Sequence, residues 1–370
     1  MTDMLAVRVR EGSLDLHLEK VPVPEPGPRD VLVKVASAGL APSITKHLAR
    51  GRFTHLPSTP GHEVAGTVVE AGADARTGSG RPLPGARVRV HPMLSCGMCR
   101  YCTTARQQMC AEAAMIGNAA FGTGPMELYA RYHDGGLAEY VRVPDRLVDP
   151  LPDHVGFDVA AKLHELGNAH RALNGADLHP GAAVVVTAAT GAMGTATVKL
   201  AESFQVGELV LVGRSAERLE AVRPLAGSVP VRTVALEDLG PGWAETGALT
   251  ARLRELLPGG ADAVLDYLPG GPGTAQAAEA LATGGALVHM GGSGDVLPFP
   301  IRVIMTRCWK VVGTRGCTRE DTSAVLGLLD SGRLRADELI THRFALRDAP
   351  EAMAAVLGRA EPMWMAVVNP

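Results

Sequence analysis

Aromatic residues are scarce in this chain of 370: Phe, Tyr and Trp together make up 4% of it. Aromatic rings therefore cannot fill the interior, and Val, Leu and Ala must form most of the core. Long hydrophobic runs are also missing. Stretches such as residues 182–186 are far too short to cross a bilayer. At the N-terminus, MTDMLAVRVREG is broken by Asp3, Arg8 and Arg10, which excludes a signal-peptide core. Neither sign of charge dominates, since 36 Lys and Arg against 39 Asp and Glu give a net charge of −3. Without a basic block there is no electrostatic footprint for nucleic acid. The expected partner is a small molecule, the expected location the cytoplasm, and neither a membrane nor nucleic acid is expected to bind. No internal repeat or low-complexity tract appears.

The chain is longer than a single core usually sustains, so it should divide into domains. Its 43 Gly and 26 Pro, with 46% hydrophobic residues, fit a globular protein with many turns. Over residues 1–155, short β-branched runs at 4–9, 31–36, 64–70, 86–90 and 138–143 are cut by Gly and Pro, the pattern of a β-rich domain. A helix is predicted over 157–173. Continuous apolar runs then recur at 183–188, 209–212, 231–236, 263–267, 286–290 and 310–312. Separated by helix-length segments, they read as buried parallel strands of a doubly wound α/β sheet. The expected boundaries are 1–155, 156–305 and 306–370, the last containing the final strand of that sheet and a return to the first domain.

Cys96, Cys99, Cys102 and Cys110 crowd into HPMLSCGMCRYCTTARQQMC. In a reducing compartment this spacing points to a metal rather than to disulfides. Short C-x-x-C turns bring sulfurs together at the reach of tetrahedral zinc, and four thiolates close the coordination sphere. The expected metal is therefore a structural zinc ion. Cys308 and Cys317 carry no such pattern.

The run at 183–188 leads into AATGAMG and then into an amphipathic segment, TATVKLAESF. Gly191 and Gly194 allow close approach of a pyrophosphate, and the helix start offers free amides. Thr190, Gly191, Ala192, Met193 and Gly194 are the candidate phosphate-binding residues, with Ala188 where a first glycine is usual. The next strand ends in Gly213-Arg214-Ser215. An NAD enzyme would carry an acidic residue there, whereas Arg214, Ser215 and Arg218 can bind a 2′-phosphate. The expected cofactor is NADP(H).

A β-rich domain with GHE at 61–63, a four-cysteine lobe, GGLAEYVRVP at 135–144 and a dinucleotide fold follow in that order. The sequence thereby resembles the zinc-containing alcohol dehydrogenase, or medium-chain dehydrogenase/reductase, superfamily. The resemblance implies a GroES-like catalytic domain, a Rossmann-like domain, an active site in the cleft between them, and a homodimer or homotetramer. The AxxGxxG variant looks like that of the quinone oxidoreductase branch, which also favours NADPH. The departures concern the catalytic zinc. Ala41 takes the place of the family's first cysteine ligand and Ile44 that of its usual aspartate, while Ser43 keeps the proton-relay hydroxyl. His62 and Glu63 match the second ligand and its neighbour, and His164, beside Glu165, falls on the third.

Two active sites follow. Zinc could persist on His62, Glu63 and His164 with one position open for substrate. Alternatively no metal binds, and His62, Ser43, Lys46 and Glu165 act as donors and acids during hydride delivery to an activated C=C or C=N bond. The second is favoured, because losing a thiolate removes both charge and softness from a zinc site. The first predicts chelator-sensitive alcohol oxidation. A non-catalytic NADP(H)-binding protein is a further alternative. HMGGS at 289–293 falls where the nicotinamide end of the cofactor is expected, whereas GTRG at 313–316 resembles a family segment after the last strand that often contacts cofactor, which makes Arg315 the candidate contact. The irregular segment 118–133 is expected to shape the pocket.

Overall fold

The computed structural model describes residues 3–77, 80, 84–359 and 361–370. The chain forms two compact units, Met1–His164 with Thr318–Pro370, and Glu165–Cys317.

In the first unit, short strands build a sheet ordered Ile340–Ala345, Met365–Asn369, Asp30–Gly39, Val64–Ala71, Arg87–Val90 and Val148–Pro150, with Tyr140–Pro144 also paired to Asp30–Gly39. The C-terminal strand reaches this sheet through Val367 opposite Gly39 and Val368 opposite Ala38. Its core is mainly aliphatic: Val7, Val31, Val33, Leu40, Ile44, Val64, Val68 and Val88 are buried together, with Phe53, Tyr129 and Tyr132 among them. This is the interior that the shortage of aromatics requires. The cysteine segment lies beside a small antiparallel ribbon, Met93–Leu94 with Ala114–Met115, and forms two short 3-10 turns, Cys102–Thr104 and Gln107–Met109.

In the second unit six parallel strands run in the order Val231–Ala235, Glu208–Gly213, Ala183–Val186, Ala261–Asp266, Leu281–His289 and Lys310–Gly313. By position in the chain this is 3-2-1-4-5-6, the dinucleotide-binding order whose strand direction reverses beside the first strand. All six apolar runs become strands. The first ends sooner than its hydrophobicity predicts. The strand ends at Val186; the Thr187 amide still donates to the Leu265 carbonyl at 3.1 Å, and its hydroxyl donates to Asp266 at 2.5 Å.

The helix predicted over 157–173 is two helices, Phe157–Ala161 and Leu163–Ala176. The interruption falls on Lys162, whose φ of −82° and ψ of 6° lie outside the α-helical well.

Candidate functional site

Four sulfurs meet in the cysteine lobe, all within 4.8 Å of one another. Cys99 and Cys102 are separated by 3.6 Å and Cys96 and Cys102 by 3.9 Å. Bonds of ~2.3 Å in a tetrahedron imply sulfur–sulfur edges of ~3.8 Å, so the arrangement fits zinc. The backbone amide of Cys99 donates to Cys96 Sγ at 3.3 Å, and those of Cys96 and Glu112 to Cys110 Sγ at 3.4 and 3.3 Å. These contacts stabilise thiolate charge. With four sulfur ligands the metal would hold structure and leave no position for substrate.

At the start of the second unit's first helix, Gly191 is extended and the helix begins at Ala192. A Cβ at Gly194 would lie 2.6 Å from the carbonyl oxygens of Ala188 and Ala189, so only glycine permits this close packing of helix on turn. Ala188, in the place of the usual first glycine, has a φ of +47°. It accepts a left-handed backbone that costs about 1–2 kcal/mol for a residue with a side chain. Thr190, Gly191, Ala192 and Met193 all retain solvent exposure. These features fit a pyrophosphate at the turn.

Where the second strand ends, a Cβ at Gly213 would meet Leu219 Cδ2 at 2.9 Å. Arg214 is exposed, Ser215 is the extended residue before helix Ala216–Val222, and Arg218 is partly exposed on that helix. Sequence reasoning missed Glu237, whose carboxylate accepts from the Ala216 amide at 2.7 Å. At the carboxyl end of the central strands, buried Asp266 accepts from Thr187, from Thr274 at 2.9 Å and from His289 Nδ1 at 2.6 Å. That hydrogen bond raises the His289 pKa. His289 Nε2 accepts from the amides of Gly292 and Ser293, which ties the HMGGS turn to the sheet. Arg315 is exposed.

The histidines converge in the first unit. His62 is 2% and His164 5% exposed, and their rings stand edge to face with centroids 5.1 Å apart. Asn118 Nδ2 donates to His62 Nδ1 at 3.0 Å, while Asn118 Oδ1 lies 2.9 Å from His47 Nδ1. An amide NH2 offers only hydrogens, so His62 Nδ1 accepts and its ring proton lies on Nε2. Metal-binding imidazoles use the opposite arrangement, in which the outer N–H donates to an acceptor. Burial, then the charges of Lys162 and His47, lower the His62 pKa to about 3. Burial, then His62 and Lys162, push that of His164 well below its ordinary value. Both rings are neutral near pH 7.

Glu63 is paired. Lys162 Nζ donates to Glu63 Oε2 at 2.5 Å, with the two side chains 2% and 0% exposed. Neither Lys162 nor Asn118 was among the sequence candidates. Lys162 could have been noticed as a charge inside the apolar stretch VAAKLHEL. Ser43 begins helix Ser43–Ala49, and Glu165 is largely buried in the first turn of Leu163–Ala176. Lys46 stays exposed, and partial burial, then Arg359 and Arg50, lower its pKa. Among the described residues, the four cysteines are the one group that brings three or more metal-ligating atoms within 4.8 Å. His62, Glu63 and His164 do not form such a group, so as arranged they do not fit a catalytic zinc.

The family model described as alcohol dehydrogenase GroES-like domain matches residues 27–153, and that described as zinc-binding dehydrogenase matches residues 192–331. The chain belongs to the alcohol dehydrogenase-like medium-chain dehydrogenase/reductase family. Sorbitol dehydrogenase of Gallus gallus is 29% identical, with 94% of this chain and 92% of that protein covered. An NAD-dependent alcohol dehydrogenase of Sulfurisphaera tokodaii is 28% identical over 95% of each chain. Among solved structures, one described as a zinc-binding dehydrogenase of Sinorhizobium meliloti, bound to NADP, superposes with a TM-score of 0.81 at 25% identity over 100% of both chains. The family assignment makes the chain an oxidoreductase. The relatives' names divide between the two nicotinamide cofactors and leave the choice to the chain's own residues.

Proposed function

We propose that this chain is an NADPH-dependent reductase of a small organic substrate, acting on a polarised C=C or C=N bond without a catalytic metal. The Glu63–Lys162 pair carries the reading, because the carboxylate next to His62 is already paired with an ammonium. A zinc-based alcohol dehydrogenase needs its metal to hold the substrate as alkoxide. A double bond that is already polarised needs only a hydride and a proton.

The bound nicotinamide supplies the hydride. Thr190, Gly191, Ala192, Met193 and Gly194 are the residues proposed to hold the pyrophosphate. Arg214, Ser215 and Arg218 would hold the 2′-phosphate through guanidinium and hydroxyl groups, since Glu237 already uses the Ala216 amide. Arg315 is a proposed further contact. His62, neutral with its proton on Nε2, is suited to donate a hydrogen bond to the oxygen or nitrogen that gains charge as hydride adds. Ser43, His164 and Glu165 are proposed to complete the donor set, and Lys46 to act at its outer edge.

A homodimer or homotetramer is part of the proposal. The outer strand Lys310–Gly313 is an open edge with Val311 44% exposed, and Ile301 and Met305, just before it, are 83% and 70% exposed. A second copy of the chain would cover an apolar edge of this kind. Light scattering that gives a single-chain mass would refute this. The activity is tested by calorimetric titration with NADPH and by turnover of an enone and imine panel. NADPH binding with turnover supports the proposal. Binding without turnover on any member would leave a non-catalytic NADP(H)-binding protein, and oxidation of alcohols that scales with added zinc would favour the rewired zinc site.

A further inference from the structure

Three arginines from distant parts of the chain meet around a cavity of about 430 Å³ in the first unit. Arg76 follows strand Val64–Ala71, Arg146 lies in the 3-10 turn Asp145–Leu147, and Arg319 begins helix Arg319–Asp330. Asp149 is the one carboxylate of the lining, and Val148 and Pro150 give it an apolar wall. The volume falls among those of small-molecule sites, about 300–1,000 Å³. Arg76 is exposed and the other two arginines are partly buried, so the cavity opens to solvent.

The one acid is already matched. Asp149 accepts from Arg89 Nη2 at 2.5 Å, with the Arg89 side chain 2% exposed, and it accepts from Arg319 as well. Arg76 and Arg146 are held in another way. Arg76 Nη1 donates to the carbonyls of Ala73 and Ala75 at 3.3 and 2.6 Å, while its amide donates to Asp145 Oδ2 at 2.8 Å. Arg146 Nη2 donates to the Ser95 carbonyl at 2.7 Å. Arg319 is braced by the carbonyls of Arg146 and Val148. A carbonyl orients a guanidinium without cancelling its charge, and the five N–H donors of each guanidinium exceed what these bonds use at Arg76 and Arg146. The lining therefore holds cations in fixed positions, three positive charges against one negative, or +2.

We infer that this cavity binds the phosphate group of a small molecule, held by Arg76, Arg146 and Arg319. Guanidinium forks match phosphate oxygens in pairs, and cationic groups beside an apolar wall concentrate their field on an anion. A phosphate group carries about −1.5 to −2 near pH 7, which cancels the surplus charge of the lining. A lone carboxylate, with one charge and two oxygens, would leave part of it unmatched. None of the residues proposed for the cofactor or for hydride transfer takes part, so occupancy of this site does not depend on that activity.

The test is calorimetric titration of the full-length protein with inorganic phosphate and with glycerol 3-phosphate, at an ionic strength held constant with sodium chloride. Saturable binding is expected, and Arg76→Ala and Arg146→Ala should each weaken it about 10-fold, as for the loss of one charge-assisted hydrogen bond. Arg146→Lys keeps the charge and loses the fork; it replaces Arg146→Ala if that variant does not fold, and should still weaken binding several-fold. Arg214→Ala, at the turn proposed for the cofactor's 2′-phosphate, should keep the binding. Tighter binding of glycerol 3-phosphate would identify a phosphate ester as the occupant, and equal or weaker binding free phosphate; both support the site. The inference is overturned if neither anion gives saturable heat, if acetate at the same ionic strength competes equally well, or if affinity is unchanged in Arg76→Ala or in the Arg146 variant. Loss of the binding in Arg214→Ala would also overturn it, by placing the anion at the cofactor turn.

Discussion

Replacing Lys162 by Met keeps most of the side-chain volume and removes its charge, which leaves the Glu63 carboxylate without its counter-ion. An exposed ion pair is worth only about 0–1 kcal/mol, but these side chains are 2% and 0% exposed with the charged atoms 2.5 Å apart. Breaking a buried pair from one side costs about 3–5 kcal/mol, because the remaining charge stays desolvated. Glu63→Gln should cost a similar amount for the opposite reason. The double variant Glu63→Gln with Lys162→Met buries no net charge and should be more stable than either single variant. The two single costs should thus sum to more than the cost of the double variant by at least about 3 kcal/mol. The assay is urea unfolding in metal-depleted buffer, read by fluorescence and circular dichroism, with the four proteins compared at equal m-values. Single variants that each lose less than about 1 kcal/mol and add linearly would refute the reasoning, since they would mean that water reaches the pair.

Other consequences follow from the same geometry. Arg214→Ala should weaken NADPH binding by about 10-fold or more, as expected for one charge-assisted hydrogen bond to phosphate, and leave NADH binding unchanged by calorimetry. Equal loss for both cofactors would mean that Arg214 does not meet the 2′-phosphate. Cys99→Ser should bring zinc per chain to nearly zero and lower the melting temperature of the first unit, since a closed zinc site is worth roughly 10–16 kcal/mol of apparent binding; unchanged zinc would refute the four-cysteine site. Acid should destabilise this unit early. Burial, then neighbouring charges, depress the pKa values of His62, His91 and His164, so the unfolded chain takes up protons that the folded one refuses. Stability is therefore full above the ordinary histidine pKa and falls below it, by about 1.4 kcal/mol per histidine per pH unit. Flat stability between pH 7 and pH 5.5 would contradict that burial.

Much of the fold was legible because its signals are local. Apolar runs such as 183–188 and 209–212 read as buried strands when helix-length segments separate them, and a glycine turn before an amphipathic segment marks the phosphate-binding turn. The cysteine lobe was legible for the same reason, since its four ligands lie close together in the chain. The histidine cluster was legible in part. His62, Glu63 and His164 stand out by resemblance to a ligand set, but what they do depends on partners far away in sequence. Lys162 meets Glu63 across 99 residues and Asn118 meets His62 across 56. No periodicity reports such a contact. The break at Lys162 was hidden because AAKLHELGNAHRAL has good helix formers on both sides of it, so that propensity favours one continuous helix. The left-handed Ala188 was hidden because alanine carries no signature of strain.

NADPH-linked reduction without a catalytic metal makes activity independent of any zinc beyond that of the cysteine lobe. Turnover with NADPH on a reactive enone or imine is followed in the same preparation in which zinc per chain is counted, while zinc is titrated from below one to two equivalents. Activity should reach its plateau at about one zinc per chain, when the cysteine lobe is filled, and further zinc should change nothing. Activity that appears only as a second zinc is taken up would contradict it.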